Sequence, residues 1–393
     1  MIKLGNHATL YTGNAIEILP TLPPESVNCS MSSPPYYSLR DYGVDGQLGL
    51  EETPELFIQH LCDIYDEVKR VLRKDGTCFV NLGDTFGGSG VNDGSVNAGI
   101  SNAVKRERIE KRPTTSIQPK SLIGIPYRFA LEMMNRGWIL RNDNIWWKRN
   151  CMPSSARDRC TVDYEHVFFF VKSQKYWYEQ QFEDKQPCSI EREKYSMENS
   201  GKQWKDDPNS MHSPMGRMGI NPQGRNMRTV WDIPPRPYPE AHFATYPQQL
   251  CERPIAAGCP EFVCVECGQA REKIIETSGG TTGKSWHDHS KDNEMGMHQC
   301  PSISGGGETP YKRIDKGYTS CNCGAEFIGG VVLDPFSGSA TTGAEAIKQG
   351  KRYIGIDISE KYTKEFAVPR LEKAIKEKEF QQQILNLPFQ SLL

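Results

Sequence analysis

The chain has almost no surplus charge of either sign: 47 Lys+Arg stand against 49 Asp+Glu in 393 residues, a net charge of -2 at pH 7. So balanced a total excludes an indiscriminate polyanion binder of the histone or polybasic type, which holds phosphate by bulk positive charge. Long hydrophobic runs are missing too. The densest apolar stretch, Val167 to Val171, is far short of the ~20 residues a bilayer-spanning helix needs. Met1 to Asn6 carries no apolar leader, so the expectation is a cytoplasmic protein, neither secreted by a signal peptide nor in a membrane. The 13 cysteines are odd in number and scattered along the chain, which suits a reducing compartment with thiols and a metal site better than a disulfide framework. No internal repeat is present. What the chain does have is length and 37% hydrophobic residues, enough to bury a substantial core in one large domain or two.

Its first part reads as alternating strands and helices. His7 to Tyr11 and Val27 to Ser32 are short apolar strands, and the second runs into Ser33-Pro34-Pro35-Tyr36, where two prolines forbid further ladder or helix. Thr53-Pro54-Glu55 is an N-cap, a first-turn proline and a first-turn acid, and the stripe Phe57, Leu61, Ile64, Tyr65, Val68, Val71, Leu72 continues at helical spacing until Gly76. A strand at Thr77 to Leu82 precedes a Gly/Ser/Asn stretch from about 86 to 119 with few core residues, and a loop of that length is expected to be mobile and functional. Pro126 opens a helix that closes at Gly137, and strands follow at Trp138 to Trp147 and His166 to Lys172. Two polar inserts lack a periodic apolar pattern: 184 to 229, and the cysteine-bracketed 268 to 320.

Gly330 to Asp334 is an apolar strand that turns through Pro335-Phe336-Ser337-Gly338-Ser339-Ala340 into a helix ending at Gly350, and Arg352 to Asp357 is the next strand. That is one right-handed βαβ unit of a parallel sheet, with Asp334 and a small-residue turn at the strand's carboxyl end, where such sheets bind ligands. Asp357 ends the following strand at about the ~20-residue offset from which a carboxylate holds a nucleotide ribose. The turn has neither the G-x-G-x-x-G of dinucleotide folds nor the G-K-[ST] of a P-loop, so the carboxylate pair argues for an adenosine-bearing cofactor without phosphates. S-adenosylmethionine is the common one. The plain alternative is a tight βα turn with two solvated acids.

Ser33-Pro34-Pro35-Tyr36 taken with the Asp334 to Gly343 turn resembles the amino-methyltransferases of DNA, whose catalytic tetrapeptide is [DNS]-P-P-[YFW] and whose cofactor motif centres on F-x-G. The likeness extends to Leu10-Tyr11-Thr12-Gly13-Asn14, to Trp147-Lys148-Arg149-Asn150-Cys151-Met152-Pro153 and to Asp357. With the catalytic motif first and the cofactor motif last, the order is similar to the β arrangement of that family. The resemblance implies a Rossmann-like, S-adenosylmethionine-dependent α/β fold with permuted motif order and polar inserts. It divides the chain into a catalytic half (1–183), a target-recognition region (184–238), a segment packing on the cofactor (239–259), the cysteine-bracketed insert (260–330) and a cofactor-binding half with a C-terminal helix (331–393). It assigns catalysis to Ser33, Pro34, Pro35 and Tyr36, and cofactor binding to Asn14, His242, Thr245, Asp334, Phe336, Ser337, Gly338, Ser339, Thr341 and Asp357. The segment His242 to Pro247 reads equally as an aromatic docking loop without ligand contact. Serine at the head of the tetrapeptide is typical of cytosine-N4 enzymes; adenine N6 is the alternative, and a catalytically idle DNA-binding subunit of the same fold is a third reading. A flipped base in double-stranded DNA is implied as substrate, and a cognate restriction endonuclease as functional partner. Two positions depart from the pattern: Ala340 replaces the second glycine of F-x-G-x-G, and Asn14 stands where an acid is common.

Cys264-x-x-Cys267-Gly268 and Cys321-x-Cys323-Gly324 form two short knuckles, whose four sulfurs would complete a structural Zn²⁺ site and fold an insert that has no core of its own. Reduced surface thiols are the alternative. DNA contacts must come from local basic groups: Lys105 and Arg106 in the glycine-rich stretch, Lys148, Arg149 and Arg157 near the tetrapeptide's expected rim, and Arg217, Arg225 and Arg228 in the recognition region.

Overall fold

The computed structural model describes residues 1–39, 41–87, 117–188, 190–191, 224–235, 246–278 and 312–385. These fall into two compact units, the first made of Met1–Gln181, Arg228–Ala270 and Cys323–Leu393, the second of Phe182–Met227 and Arg271–Asn322. From the expected inserts the second unit thus takes residues 184–227 and 271–320.

The first unit is built on a nine-stranded sheet. In chain order its strands are β1 (Ile2–Leu4), β2 (Ala8–Thr12), β3 (Val27–Ser32), β4 (Leu72–Leu82), β5 (Ile139–Trp147) and β6 (Tyr164–Val171). Beyond β7 (Phe182–Glu183) and β8 (Arg225–Asn226), which pair with each other in the second unit, come β9 (Val230–Asp232), the short β10 (Val263–Cys264), and β11 (Lys273–Ser278) with β12 (Lys312–Tyr318), an antiparallel ribbon of the second unit. β13 (Phe327–Ile328) pairs with β10, and β14 (Val331–Asp334) and β15 (Arg352–Asp357) complete the large sheet. Its order is β1-β2-β15-β14-β3-β4-β6-β5-β9. The five strands from β2 to β4 in that order run parallel, β6 runs antiparallel to β4 and β5, and β1 closes one edge as an antiparallel hairpin with β2.

Helices α1 (Ala15–Ile18), α2 (Pro54–Val71), α3 (Ile125–Asn135), α4 (Gln249–Gly258), α5 (Thr341–Lys348) and α6 (Val368–Leu385) accompany the sheet. Thr53 caps α2 as expected, its Oγ1 accepting from Leu56 N at 3.1 Å. The helix stops at Val71 rather than at Gly76, because Leu72 turns extended and enters β4 opposite Val27. Gly76 serves close strand approach: a Cβ there would stand 3.0 Å from the Arg73 carbonyl and 3.2 Å from that of Asn28. The core packs α2 and α3 against β4 and β6 through Phe57, Leu61, Tyr65, Phe129, Phe168 and Phe170. Val167 to Val171, buried throughout, is an interior strand of this sheet, with β4 on one side and β5 on the other. Among the described residues no helix is long and apolar enough to cross a membrane.

Candidate active site

The order of the large sheet reverses between β14 and β3: from β14 the chain moves outward to β15, and from β3 it moves outward to β4 on the other side. A crevice opens at the carboxyl ends of two strands where the order reverses, and open α/β sheets bind ligands there. One lip carries Ser33 to Tyr36, directly after β3; the other carries the turn that follows Asp334 at the end of β14. Side chains stitch the lips together. Thr342 Oγ1 in α5 donates to the Met31 carbonyl of β3 at 3.2 Å, and Ser32 Oγ lies 2.8 Å from Tyr65 Oη, whose ring sits 6.4 Å from that of Phe336.

Asp334 has no exposed surface. Its carboxylate accepts from Phe336 N at 3.0 Å and from Tyr246 Oη at 3.2 Å, and burial drives its pKa up to about 7 against the pull of these bonds. Tyr246 also lies 2.6 Å from Thr342 Oγ1, so it covers the acid and ties it to α5. Asp357 is only partly buried and shapes the turn directly: Oδ2 accepts from Gly338 N at 2.7 Å and Oδ1 from Ser359 N at 2.8 Å. Burial raises its pKa as well. Gly338 adopts φ +51 and Ala340 φ +57, both left-handed; the alanine that replaces the family's glycine therefore sits in backbone that an L side chain resists. Ser337 Oγ meets Tyr353 Oη at 2.9 Å, and Arg370 of α6 donates to Ser339 Oγ at 3.1 Å and Thr341 Oγ1 at 2.8 Å. Asn14 caps α1 by accepting from Ile16 N, and its amide reaches Gly46 O at 3.4 Å. His242 and Thr245 lie outside the described residues.

On the catalytic lip, Pro34 is buried and Ser33, Pro35 and Tyr36 are half-buried. Tyr36 Oη donates to Glu165 Oε2 at 2.5 Å. Burial, reinforced by that carboxylate, lifts the phenol's pKa well above its ordinary value, while a hydrogen bond with Ser33 pulls the other way. Lys148 is not a free cation: its ammonium pairs with Glu165 and lies 4.8 Å over the Trp146 ring. Arg149 pairs with Asp232 and stacks on Trp147 but stays 68% exposed, and Arg157 is exposed at the loop beyond. Arg228 is exposed, whereas Arg225 bonds Glu183 at 2.8 Å within the second unit. Lys105, Arg106 and Arg217 lie outside the described residues.

The sulfurs of Cys264, Cys267 and Cys323 gather within 4.8 Å of one another in the first unit. Gly268 and Gly324, each following a knuckle's second cysteine, take φ +70 and φ +66, the left-handed turn such knuckles require. Cys321 precedes Cys323 by one intervening residue.

Sequence patterns did not single out Glu165, Asn81, Tyr246 or Arg370 as site residues. A carboxylate heading the apolar run Val167 to Val171 was the available signal for Glu165.

A mostly parallel sheet, with a cofactor-type turn at one lip of its switch point and a proline-pinned tetrapeptide at the other, is the Rossmann-like fold of S-adenosylmethionine-dependent methyltransferases in permuted order. The DNA methylase family model matches residues 27–265 and 317–368, and the chain belongs to that family. It is 31% identical over 367 residues to the Type II methyltransferase M.Cfr9I of Citrobacter freundii, covering 93% of this chain and 88% of the relative. It is 35% identical over 251 residues to the Type II methyltransferase M.SmaI of Serratia marcescens, covering 63% of this chain and 74% of that one. The fold is similar to the crystallised PvuII DNA methyltransferase (cytosine-N4-specific) with a TM-score of 0.50 at 14% identity, over 95% of this chain and 92% of the other.

Proposed function

We propose that this DNA methyltransferase modifies the exocyclic N4 of cytosine, at a base turned out of double-stranded DNA, within a restriction-modification system. The observation that carries the choice of base is Ser33 at the head of the tetrapeptide, where adenine enzymes of the family typically have Asp or Asn. The setting rests on the Type II relatives.

When bound, S-adenosylmethionine supplies the electrophilic sulfonium methyl. An aromatic amine is a poor nucleophile because its lone pair is delocalised into the ring. The Ser33 hydroxyl and the Pro34 carbonyl accept its two N–H bonds, which favours a more tetrahedral nitrogen with the lone pair aimed at the methyl carbon. Pro34 and Pro35 fix φ and hold that carbonyl still. Tyr36 supplies a face for the extruded base. On the other lip, Asp357 addresses the ribose hydroxyls, Asn14 the adenine edge, and Phe336, Ser337, Gly338, Ser339 and Thr341 the remainder, with Asp334 acting from beneath through Tyr246 and the Phe336 amide. His242 and Thr245 belong to the segment assigned to the methionine part. Arg149, Arg157 and Arg228 are exposed cations assigned to phosphate, with Lys105, Arg106 and Arg217 from the remaining polar segments; Arg225 and Lys148 contribute through their ion pairs. A cognate nuclease is the functional partner.

Cys264, Cys267 and Cys323, with Cys321 as fourth ligand, fit a structural Zn²⁺, since tetrahedral thiolates ~2.3 Å from the ion stand about 3.8 Å apart. Elemental analysis of the purified chain is expected to find one zinc, and Cys264→Ser to lose both the metal and thermal stability. An unchanged melting temperature and no metal in the wild-type chain would remove the site.

The deciding experiment incubates the enzyme with unmodified DNA and labelled cofactor, digests to nucleosides and identifies the product by mass spectrometry. N4-methylcytosine is expected. N6-methyladenine alone would overturn the choice of base and leave the family untouched.

A further inference from the structure

We propose that Glu165 is a positioning residue for methyl transfer, holding the Tyr36 ring at the angle at which it receives the turned-out base. This rests on the methyltransferase reading of Ser33 to Tyr36.

Glu165 lies at the start of β6, two strands from β3. Its side chain is only 14% exposed, and a buried carboxylate is costly unless its lone pairs are met. Here they are met from three directions. Tyr36 Oη donates to Oε2 at 2.5 Å, Asn81 Nδ2 at the end of β4 donates to the same oxygen at 2.9 Å, and the Lys148 ammonium just beyond β5 pairs with Oε1. Asn81 Nδ2 also reaches the His166 carbonyl at 3.2 Å, which fixes which way its amide points. The phenol is thereby referenced to three sheet strands in addition to its bond with Ser33 in the tetrapeptide's own loop. The ring's flank is fixed independently: a Cβ at Gly83 would stand 2.7 Å from the Tyr36 ring, so the ring lies directly on the backbone after β4. With a floor at Gly83 and a tether at Glu165, the ring has one orientation. Methyl transfer is sensitive to such control, because a displacement of about 1 Å can cost on the order of 100-fold in rate.

The test is a cycle of Glu165→Gln, Glu165→Leu, Tyr36→Phe and Tyr36→Phe/Glu165→Leu, measured by single-turnover methyl transfer to plasmid DNA, cofactor affinity by calorimetry and thermal melting. Glu165→Leu is expected to slow transfer by about 10- to 100-fold with cofactor affinity unchanged. Glu165→Gln, whose amide oxygen still accepts from the phenol, should keep the rate within about 5-fold of wild type. In the Tyr36→Phe background, Glu165→Leu should cost little more, since the hydrogen bond it serves is already gone. Tyr36→Phe cuts the same bond without disturbing the carboxylate, so the inference stays testable if the Leu variant fails to fold: Tyr36→Phe at wild-type rate would then overturn it. Full activity of Glu165→Leu, or an equal loss with and without the phenol, would overturn it too, leaving the methyltransferase reading intact. No transfer to any DNA by the wild-type chain would defeat that reading and this inference together.

Discussion

At the scale of single residues, the cofactor lip holds two groups in states they would not choose. Asp334, buried without exposed surface, has its pKa raised to about 7. A folded-state pKa above the ordinary 3.8 means that the folded chain binds the extra proton between those values, so its stability falls as pH rises through that window. Asp334→Asn, neutral and of the same shape, is therefore expected to melt later than wild type at pH 8, by an amount on the order of a few kcal/mol, with the gap closing toward pH 4. The same variant should bind S-adenosylmethionine more weakly, and paired melting and calorimetry across that range would check both signs. Ala340, at φ +57 and fully buried, carries the second strain. Ala340→Gly should raise stability by up to about 1 kcal/mol in denaturant unfolding; a loss of that size would mean that the methyl group's packing outweighs the backbone cost.

At the scale of elements, the sequence was most legible where a local rule decides alone. Val27–Ser32 and Arg352–Asp357 end where their turn signals say, and the Thr53 cap starts α2 on its residue. The end of α2 was not legible, because its stop is set by pairing of Leu72 with a strand 45 positions earlier, not by the glycine ahead. The lips of the site were readable as motifs, since each is contiguous. Glu165 and Arg370 were not, because their roles come from contacts across 129 and 31 positions, and Tyr246 was legible only as a member of the His242 to Pro247 segment, its bond to Asp334 spanning 88 positions. Arg370 shows what such contacts do: α6 reaches over the turn and donates to Ser339 and Thr341, fixing the hydroxyls that open α5. Arg370→Ala should raise the dissociation constant for S-adenosylmethionine by roughly 5- to 20-fold through lost charge-assisted bonds, with tetrapeptide geometry unaffected; titration calorimetry reads it directly.

At the scale of the molecule, 47 basic and 49 acidic residues cancel, and many of the cations are already engaged, as Lys148 and Arg225 are by Glu165 and Glu183. On the proposed function, exposed arginines such as Arg149 and Arg157 are then the candidates among the described residues for phosphate contact. Arg157→Ala is expected to lower the slope of log affinity against log salt by about 1 while weakening all sequences alike; a change in site preference without a change in slope would assign it to base readout. The switch point has a consequence for how the protein comes into being. Val331 N donates to Asn28 Oδ1 across 303 residues, and β2 finds its parallel partner only in β15. On the ribosome, Asn28 in the strand leading to Ser33 emerges 303 residues ahead of its partner Val331, so for that interval the strand lies beside a neighbour that does not yet exist. Until β14 and β15 are delivered, β2 and β3 present open edges, the kind that invite aggregation and chaperone capture. A chain stalled before residue 331 has its tetrapeptide but not the β14–β15 lip, so on the proposed function it is expected to transfer no methyl group until that unit has been made.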